Sequence, residues 1–242
     1  MAGTQDLVVV TGGSRGIGRA IVSHELARGR AVVNIDRQRP DPADGGIHIE
    51  TDLADPAAIA AAFAAIAERG QVVGLVNNAA MAIARSLEET EAADFARLVP
   101  VNVVGAALCA QHAAKSMKAA GWGRIVNIAS RAALGKADRT AYGATKSAII
   151  SMTRAWALEL APFGITVNAI APGPIATELF TQVNPAGDPR TEALVASIPV
   201  GRIGQPADVA RAAGFFLAEE NSYVTGQTLY VCGGRTVGVA AL

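Results

Sequence analysis

Leu7-Val8-Val9-Val10-Thr11-Gly12-Gly13-Ser14-Arg15-Gly16-Ile17-Gly18 decides the fold of this chain. Its first four residues form a continuous apolar run rich in β-branched side chains, the pattern of a strand buried on both faces. Glycines follow, and from residue 17 to about residue 28 the pattern turns helical. Glycines at such a junction let the backbone turn tightly and approach a pyrophosphate, to which the helix N-terminus offers N–H groups and a positive dipole end. The spacing is G-x-x-x-G-x-G, through Gly12, Gly16 and Gly18, rather than the commoner G-x-G-x-x-G. Asp36 stands roughly 20 residues further on, where a carboxylate can meet a dinucleotide ribose. A glycine cluster alone marks only a tight turn; its strand-to-helix setting with Asp36 beyond makes it a coenzyme signal.

Outward from this unit the signals alternate. Further apolar runs stand at 31–35, 47–50, 72–76, 124–128, 165–170 and 229–231. Helical patterns lie between them: an alanine-rich one from Asp55-Pro56 to about residue 69, a long region after Asn77-Asn78 with a break near Pro100 and an end at residue 120, and one over 140–160. Short strands alternating with helices predict a doubly wound α/β domain of Rossmann type, with a parallel seven-stranded sheet and right-handed crossovers. The stretch 173–206 is rich in Pro, Gly and Asn, interrupted by a short helical pattern around 192–197, and reads as a substrate loop or lid. The whole of 1–242 is expected to be one domain.

Composition narrows the function classes. With 51% hydrophobic and 17% charged residues, the 242-residue chain has the make-up of a globular protein with a sizeable core. Lys plus Arg equals Asp plus Glu at 21 each, so no basic surplus draws it to nucleic acid or an anionic membrane. Cys109 and Cys232 sit in apolar stretches and read as small buried hydrophobes. His24, His48 and His112 lie apart, and no metal site is expected. The polar lead into the first strand leaves no room for a signal peptide, and no uninterrupted apolar segment is read as membrane-spanning, so a cytoplasmic protein is expected.

Tyr142 and Lys146 stand at i and i+4 at the start of a helix and share a face. An ammonium near a phenol favours the phenolate, which suits the pair to acid–base work. By itself such a pair is an ordinary helix surface. Ser130 changes the reading, because it ends the fifth strand at the carboxyl edge where open α/β sheets bind ligands. Its hydroxyl can bond a reacting oxygen there.

With these residues in view the chain resembles, over essentially its whole length, the short-chain dehydrogenase/reductases. The matching positions are Gly12, Gly16 and Gly18, Asp52, Asn77-Asn78-Ala79, Asn102, Ser130, Tyr142, Lys146, and Pro172-Gly173 with Thr177. The resemblance implies an oxidoreductase that moves a hydride between a nicotinamide coenzyme and a secondary alcohol or ketone. In it Tyr142 is the general acid or base, and Lys146 holds the nicotinamide ribose and depresses the Tyr142 pKa. Ser130 orients the substrate oxygen, and Asn102 keeps a water that relays protons from Lys146. Coenzyme contacts fall to the glycine-motif residues Gly12, Ser14, Arg15, Gly16, Ile17 and Gly18, to Asp36 and Arg37, to Asp52 and Leu53 at the adenine, and to Asn78 and Ala79. Pro172, Gly173, Ile175 and Thr177 complete the set near the carboxamide. Two positions depart from the family pattern: Ala80 stands where Gly is usual, and Arg131 follows Ser130 where small or apolar residues are usual.

Asp36 argues for NAD over NADP, because a 2′-phosphate would face its charge, whereas Arg15 and Arg37 pull the other way. A 3-oxoacyl-thioester reductase using NADPH is the alternative activity. A coenzyme-binding scaffold without turnover would be expected to lack Tyr142 or Lys146, and epimerases of this fold generally carry a larger C-terminal part. Arg131, beside Ser130, can anchor a substrate carboxylate bidentately or turn to solvent. The apolar stretches 101–114, 144–158 and 237–242 predict a homo-oligomer, a tetramer.

Overall fold

The computed structural model describes residues 5–185 and 187–237. The N-terminal residues before Gln5 and the tail 238–242, which carry the leader expectation and part of the oligomer expectation, lie outside them. Seven strands make one all-parallel sheet: β1 (Asp6–Thr11), β2 (Ala31–Asp36), β3 (Ile47–Glu50), β4 (Gln71–Asn77), β5 (Gly123–Ile128), β6 (Ile165–Pro172) and β7 (Thr228–Val231). Their order across the sheet is β3-β2-β1-β4-β5-β6-β7. The sequence-predicted strands match these to within a residue or two at each end.

Successive side chains of a strand point to opposite faces, and β1 shows the result directly. Leu7 and Val9 enter one core with Ile59, Phe63 and Ile66 of helix α2 (Pro56–Ala67) and with Cys109, Ala113 and Met117 of α4 (Ala106–Ala120). Val8 and Val10 enter the other, with Ile21 and Val22 of α1 (Gly16–Ala27) and with Val209, Ala213 and Phe216 of a helix over Pro206–Leu217. Both faces are covered, which is why these strands read as unbroken apolar runs.

The long helical region departs from its reading. Residues 78–90 are not helical; helix α3 (Ala92–Val99) begins only after them. No break occurs at Pro100. The chain passes through it in a π-helical segment, Pro100–Gly105, and continues as α4. Proline removes one N–H from the ladder, and the wider π turn accommodates that loss. By length and composition the continuous helix Ala92–Ala120 is apolar enough to cross a membrane, contrary to the expectation of no such segment. In this fold its inner face packs on β4 and α2.

Helix α5 (Thr140–Leu160) has the expected bounds. Beyond β6 the irregular stretch holds two short helices, α6 (Glu178–Val183) and α7 (Pro189–Ala196), of which only α7 gives a clear sequence pattern. α8 (Pro206–Leu217), not anticipated, opens with Pro206 in its first turn and an Asp208 side chain that accepts the Gln205 N–H at 2.7 Å.

Candidate active site

From β1 the connection runs to β2 on one side, while β4 lies on the other, so a crevice opens where the strand order reverses. The glycine loop sits at its mouth. Gly12 and Gly16 have φ of 65° and 53°, values natural to glycine. Gly18 is required by contact instead: a Cβ there would lie 2.0 Å from the Gly12 carbonyl oxygen. Ser14 is buried, whereas Arg15, the N-cap of α1, is exposed and leaves the helix N-terminus without a side-chain cap. Orphan N–H groups at Gly16, Ile17 and Gly18, beside glycines that leave no room for a Cβ at 12, 13 and 18, fit a pyrophosphate.

Side chains from neighbouring strands hold that loop. Thr11 Oγ1 accepts the N–H groups of Asn78 and Ala79 at 2.9 and 3.0 Å, and Asn78 Nδ2 donates to the carbonyls of Thr11 and Gly12. Asn34 Oδ1 accepts the Gly13 N–H at 2.8 Å, and its Nδ2 donates to Ser14 Oγ. Neither Thr11 nor Asn34 was singled out from sequence. The signal for Asn34 was present, as a lone amide inside a doubly buried apolar strand. Asp36 ends β2 half-buried, its two carboxylate oxygens accepting the N–H groups of Ser14 at 3.1 Å and Gln38 at 2.9 Å. Arg37 lies exposed beside it, and among the described residues neither Arg15 nor Arg37 makes an ion pair.

The remaining coenzyme candidates divide. Asp52 is exposed and bonds the Ala54 N–H. The Leu53 side chain is core, so only its backbone can face an adenine. Ala80 needs no positive φ, so a glycine there is not required by conformation. Pro172 ends β6 and Gly173 follows it, where a Gly173 Cβ would lie 2.8 Å from the Cys232 Cα. Ile175 is buried in the core and pairs its backbone with Gly204. Thr177 caps α6 through its hydroxyl at 3.3 Å from the Phe180 N–H, and a Cβ on Gly16 would meet its methyl at 3.1 Å. The loop after β6 therefore closes onto the glycine motif.

Ser130, Tyr142 and Lys146 come together beyond the carboxyl end of β5. Ser130 caps a 3-10 turn, Arg131–Leu134, its Oγ accepting the Ala132 N–H at 3.1 Å. Lys146 is 3% exposed, its Nζ donating to the Ile128 carbonyl at 2.7 Å and lying 5.9 Å from the Tyr142 ring centre. Burial pulls the Lys146 pKa down to about 8. The Tyr142 phenol is pushed above its ordinary value by burial, against which the nearby Ser130 hydroxyl and the charge of Arg139 act. This differs from the expectation that Lys146 depresses Tyr142, because the ammonium is bonded to the Ile128 carbonyl and desolvation of the phenol is the larger effect.

Asn102 lies in the π-helical segment, 1% exposed. Its side chain accepts the Met81 N–H at 2.8 Å and donates to the Met81 carbonyl at 2.9 Å and to Thr145 Oγ1 at 3.1 Å. Thr145 in turn donates to the Tyr142 carbonyl. The amide thus joins the segment after β4 to the turn of α5 that carries Tyr142 and Lys146.

Comparison with known proteins agrees with this geometry. Residues 12–236 match the family model described as enoyl-(acyl carrier protein) reductase. A (2S)-[(R)-hydroxy(phenyl)methyl]succinyl-CoA dehydrogenase subunit of Thauera aromatica is 36% identical, over 96% of this chain and 96% of its own. Among solved structures, a 3-ketoacyl-(acyl-carrier-protein) reductase of Brucella melitensis complexed with NADH superposes with a TM-score of 0.87 at 32% identity, covering 96% of this chain and 98% of that one. ElxO with NADP bound superposes at 0.90 and 29% identity, over 97% and 100% of the two chains. A glycine-motif crevice, a Ser–Tyr–Lys cluster at the edge of β5 and relatives matched end to end place the chain in the short-chain dehydrogenase/reductase family, the NAD(P)-dependent oxidoreductases of CH–OH groups.

Proposed function

We propose that the protein interconverts a secondary alcohol and its ketone with Tyr142 as the proton-transfer group. The convergence of Ser130, Tyr142 and Lys146 on one sheet edge carries this reading. A nicotinamide coenzyme, when bound, supplies or accepts the hydride. Ser130 and Tyr142 present two hydroxyls that can bond the same substrate oxygen, and Tyr142 gives its proton to that oxygen in reduction or takes it in oxidation. Lys146 holds positive charge beneath the phenol and the ribose hydroxyls. Asn102 and Thr145 fix the turn on which both act, and the stretch 173–206 closes over the substrate. The Tyr142→Phe variant keeps the ring and loses the donor. It is expected to bind coenzyme as the wild type does, by fluorescence titration, with less than a tenth of the turnover at saturating substrate.

The coenzyme is NAD rather than NADP in this reading. Ser14 and Gln38 hold the Asp36 carboxylate in place, and each oxygen keeps a lone pair for a ribose hydroxyl. A phosphate there would oppose it at about 4 kcal/mol per unit pair at about 4 Å and an effective dielectric near 20. Even a third of that is about a tenfold preference. The ratio of kcat/KM for the two coenzymes, in wild type and in Asp36→Ser, checks this; a wild-type preference for NADP would overturn it. The working form is a cytoplasmic homotetramer, and its partners are small molecules rather than nucleic acid or membrane.

A further inference from the structure

Because β5, β6 and β7 are parallel neighbours, the loops leaving them wall one mouth above Ser130. The loop after β5 carries Arg131, Lys136 and Arg139, and the turn after β7 carries Arg235. Both loops are held in place. Ser147 Oγ donates to the Ala133 carbonyl, the Arg139 carbonyl accepts the Gly143 N–H, and the Asp138 carbonyl accepts the Arg85 N–H. The turn after β7 is closed by the Cys232 carbonyl, which accepts the Arg235 N–H, and by a Cys232 Sγ–Thr236 Oγ1 bond.

Lys136 lies within electrostatic reach of Arg139, Arg131 and Arg235, and Arg235 within reach of Arg131. Burial, and after it Arg139, Arg131 and Arg235, pull the Lys136 pKa below the ordinary lysine range, with Asp138 opposing. Burial and then Arg131 lower that of Arg235, against the Cys232 thiol. Asp138 is the carboxylate that opposes them at Lys136, and Arg139 reaches far enough to act on Tyr142. Several other arginines meet acids: Arg19 with Asp44, Arg30 with Glu25, Arg85 with Asp94, Arg202 with Asp208. Among the described residues Arg131, Lys136 and Arg235 make no ion pair and no side-chain hydrogen bond, and the Arg139 guanidinium donates only to the Asp138 carbonyl. A chain with formal net charge of zero has gathered like charges at the substrate mouth, away from the β1–β4 crevice where the coenzyme phosphates belong.

We infer that this cluster anchors an anionic group of the substrate, so that the alcohol or ketone turned over at Ser130 and Tyr142 also carries a carboxylate or phosphate. The inference rests on the reading of Ser130 and Tyr142 as the reaction centre. Arg131 and Arg235, on separate loops, can close on the anion from two sides with paired N–H donors, and Lys136 adds a third charge.

The test uses paired probes with coenzyme-saturated enzyme: α-, β- and γ-oxo carboxylates beside their methyl esters, and oxo-alcohol phosphates beside the parent oxo alcohols. At least one anion is expected to exceed its neutral partner about tenfold or more in kcat/KM. That ratio should fall about tenfold in both Arg131→Gln and Arg235→Gln, through KM more than kcat, and the preferred series tells carboxylate from phosphate. Neutral ketones turned over as well as the acids, with a ratio unmoved in both variants, would overturn the anchor while leaving the reaction centre standing. Should no probe turn over, calorimetric titration of the same acids into NAD-loaded enzyme decides. Binding weakened in both variants supports the anchor, and no binding in the wild type overturns it.

Discussion

Lys146, proposed to act beside Tyr142, is a group kept at the expense of the fold. Its ammonium is buried with one carbonyl for a partner, and its pKa falls from 10.5 to about 8. That shift corresponds to about 3 kcal/mol of destabilisation when the charged form is the one present. Lys146→Met should lose turnover yet fold more stably at pH 7. After loss of the Ile128 hydrogen bond, worth about 1 kcal/mol, the net gain is about 2 kcal/mol. In Tm this is roughly 4–8 °C. Below pH 8 the folded and unfolded chains both bind the proton and the cost is complete. Between pH 8 and 10.5 the unfolded chain binds more protons, so wild-type stability rises with pH relative to the variant and the gap closes. Denaturant titrations across that range check it; an advantage independent of pH would show that the ammonium is not the destabilising group. Asn34 is the opposite case, a buried amide that steadies a loop. Asn34→Leu leaves the Gly13 N–H without its acceptor, at about 1–3 kcal/mol. Coenzyme binding by titration should weaken together with stability.

At the scale of elements, the glycine loop and the helix after it act as one part. Gly18→Ala puts a methyl against the Gly12 carbonyl and within 2.5 Å of Asn78 Nδ2, and only a backbone shift can relieve this. Overpacking of this kind costs about 1–3 kcal/mol. The loop it displaces is the one that would carry the pyrophosphate, so the coenzyme Kd should rise about tenfold or more, and an unchanged Kd would separate Gly18 from the site. This motif was legible in sequence because each glycine answers to a local backbone demand. So were Ser130, Tyr142 and Lys146, which a strand end and one helical turn bring together. What could not be read depends on partners distant along the chain. Asn102 enters the site through the family resemblance, but its bonds to Met81 and Thr145 depend on the π segment. Pro100 promised a break because local rules disfavour proline within a helix, yet packing on β4 carries the helix through. The pKa of Tyr142 follows burial that spacing does not reveal, and Arg235 comes within electrostatic reach of Arg131 through the order of the strands.

For the whole molecule, the apolar surface left on the outside is what bears on assembly. Leu158 is 81% exposed on α5, and Phe163 and Val104 are also exposed. Helix α5 carries the proposed reacting pair on its first turns and this surface near its last, so a partner covering its far end would also brace the site. Light scattering at micromolar concentration should return four times the chain mass, and Leu158→Glu should shift it to smaller species with reduced turnover. A monomer mass for the wild type would contradict the tetramer. The sequence showed apolar helices but not which of their faces the sheet would use; that division appears only once the sheet has taken its share.

The strand order has a consequence for how the protein is made. β1 is the first strand synthesised, yet it sits between β2 and β4, and its second neighbour exists only after residue 77. From there growth runs outward in one direction through β5, β6 and β7. A nascent chain can therefore assemble the coenzyme half while the rest is still being translated, and each added strand covers the exposed edge of the one before. β6 keeps an open edge until residues 228–231 emerge, a template for mispairing held exposed over the translation of some 55 residues. Arrest of synthesis just short of β7 should yield chains that bind coenzyme weakly and aggregate through β6, whereas release of those few residues closes the sheet. The edge on which an anionic substrate would be held is thus the last to be completed, so that a truncated product lacks the anchor before it lacks the coenzyme fold.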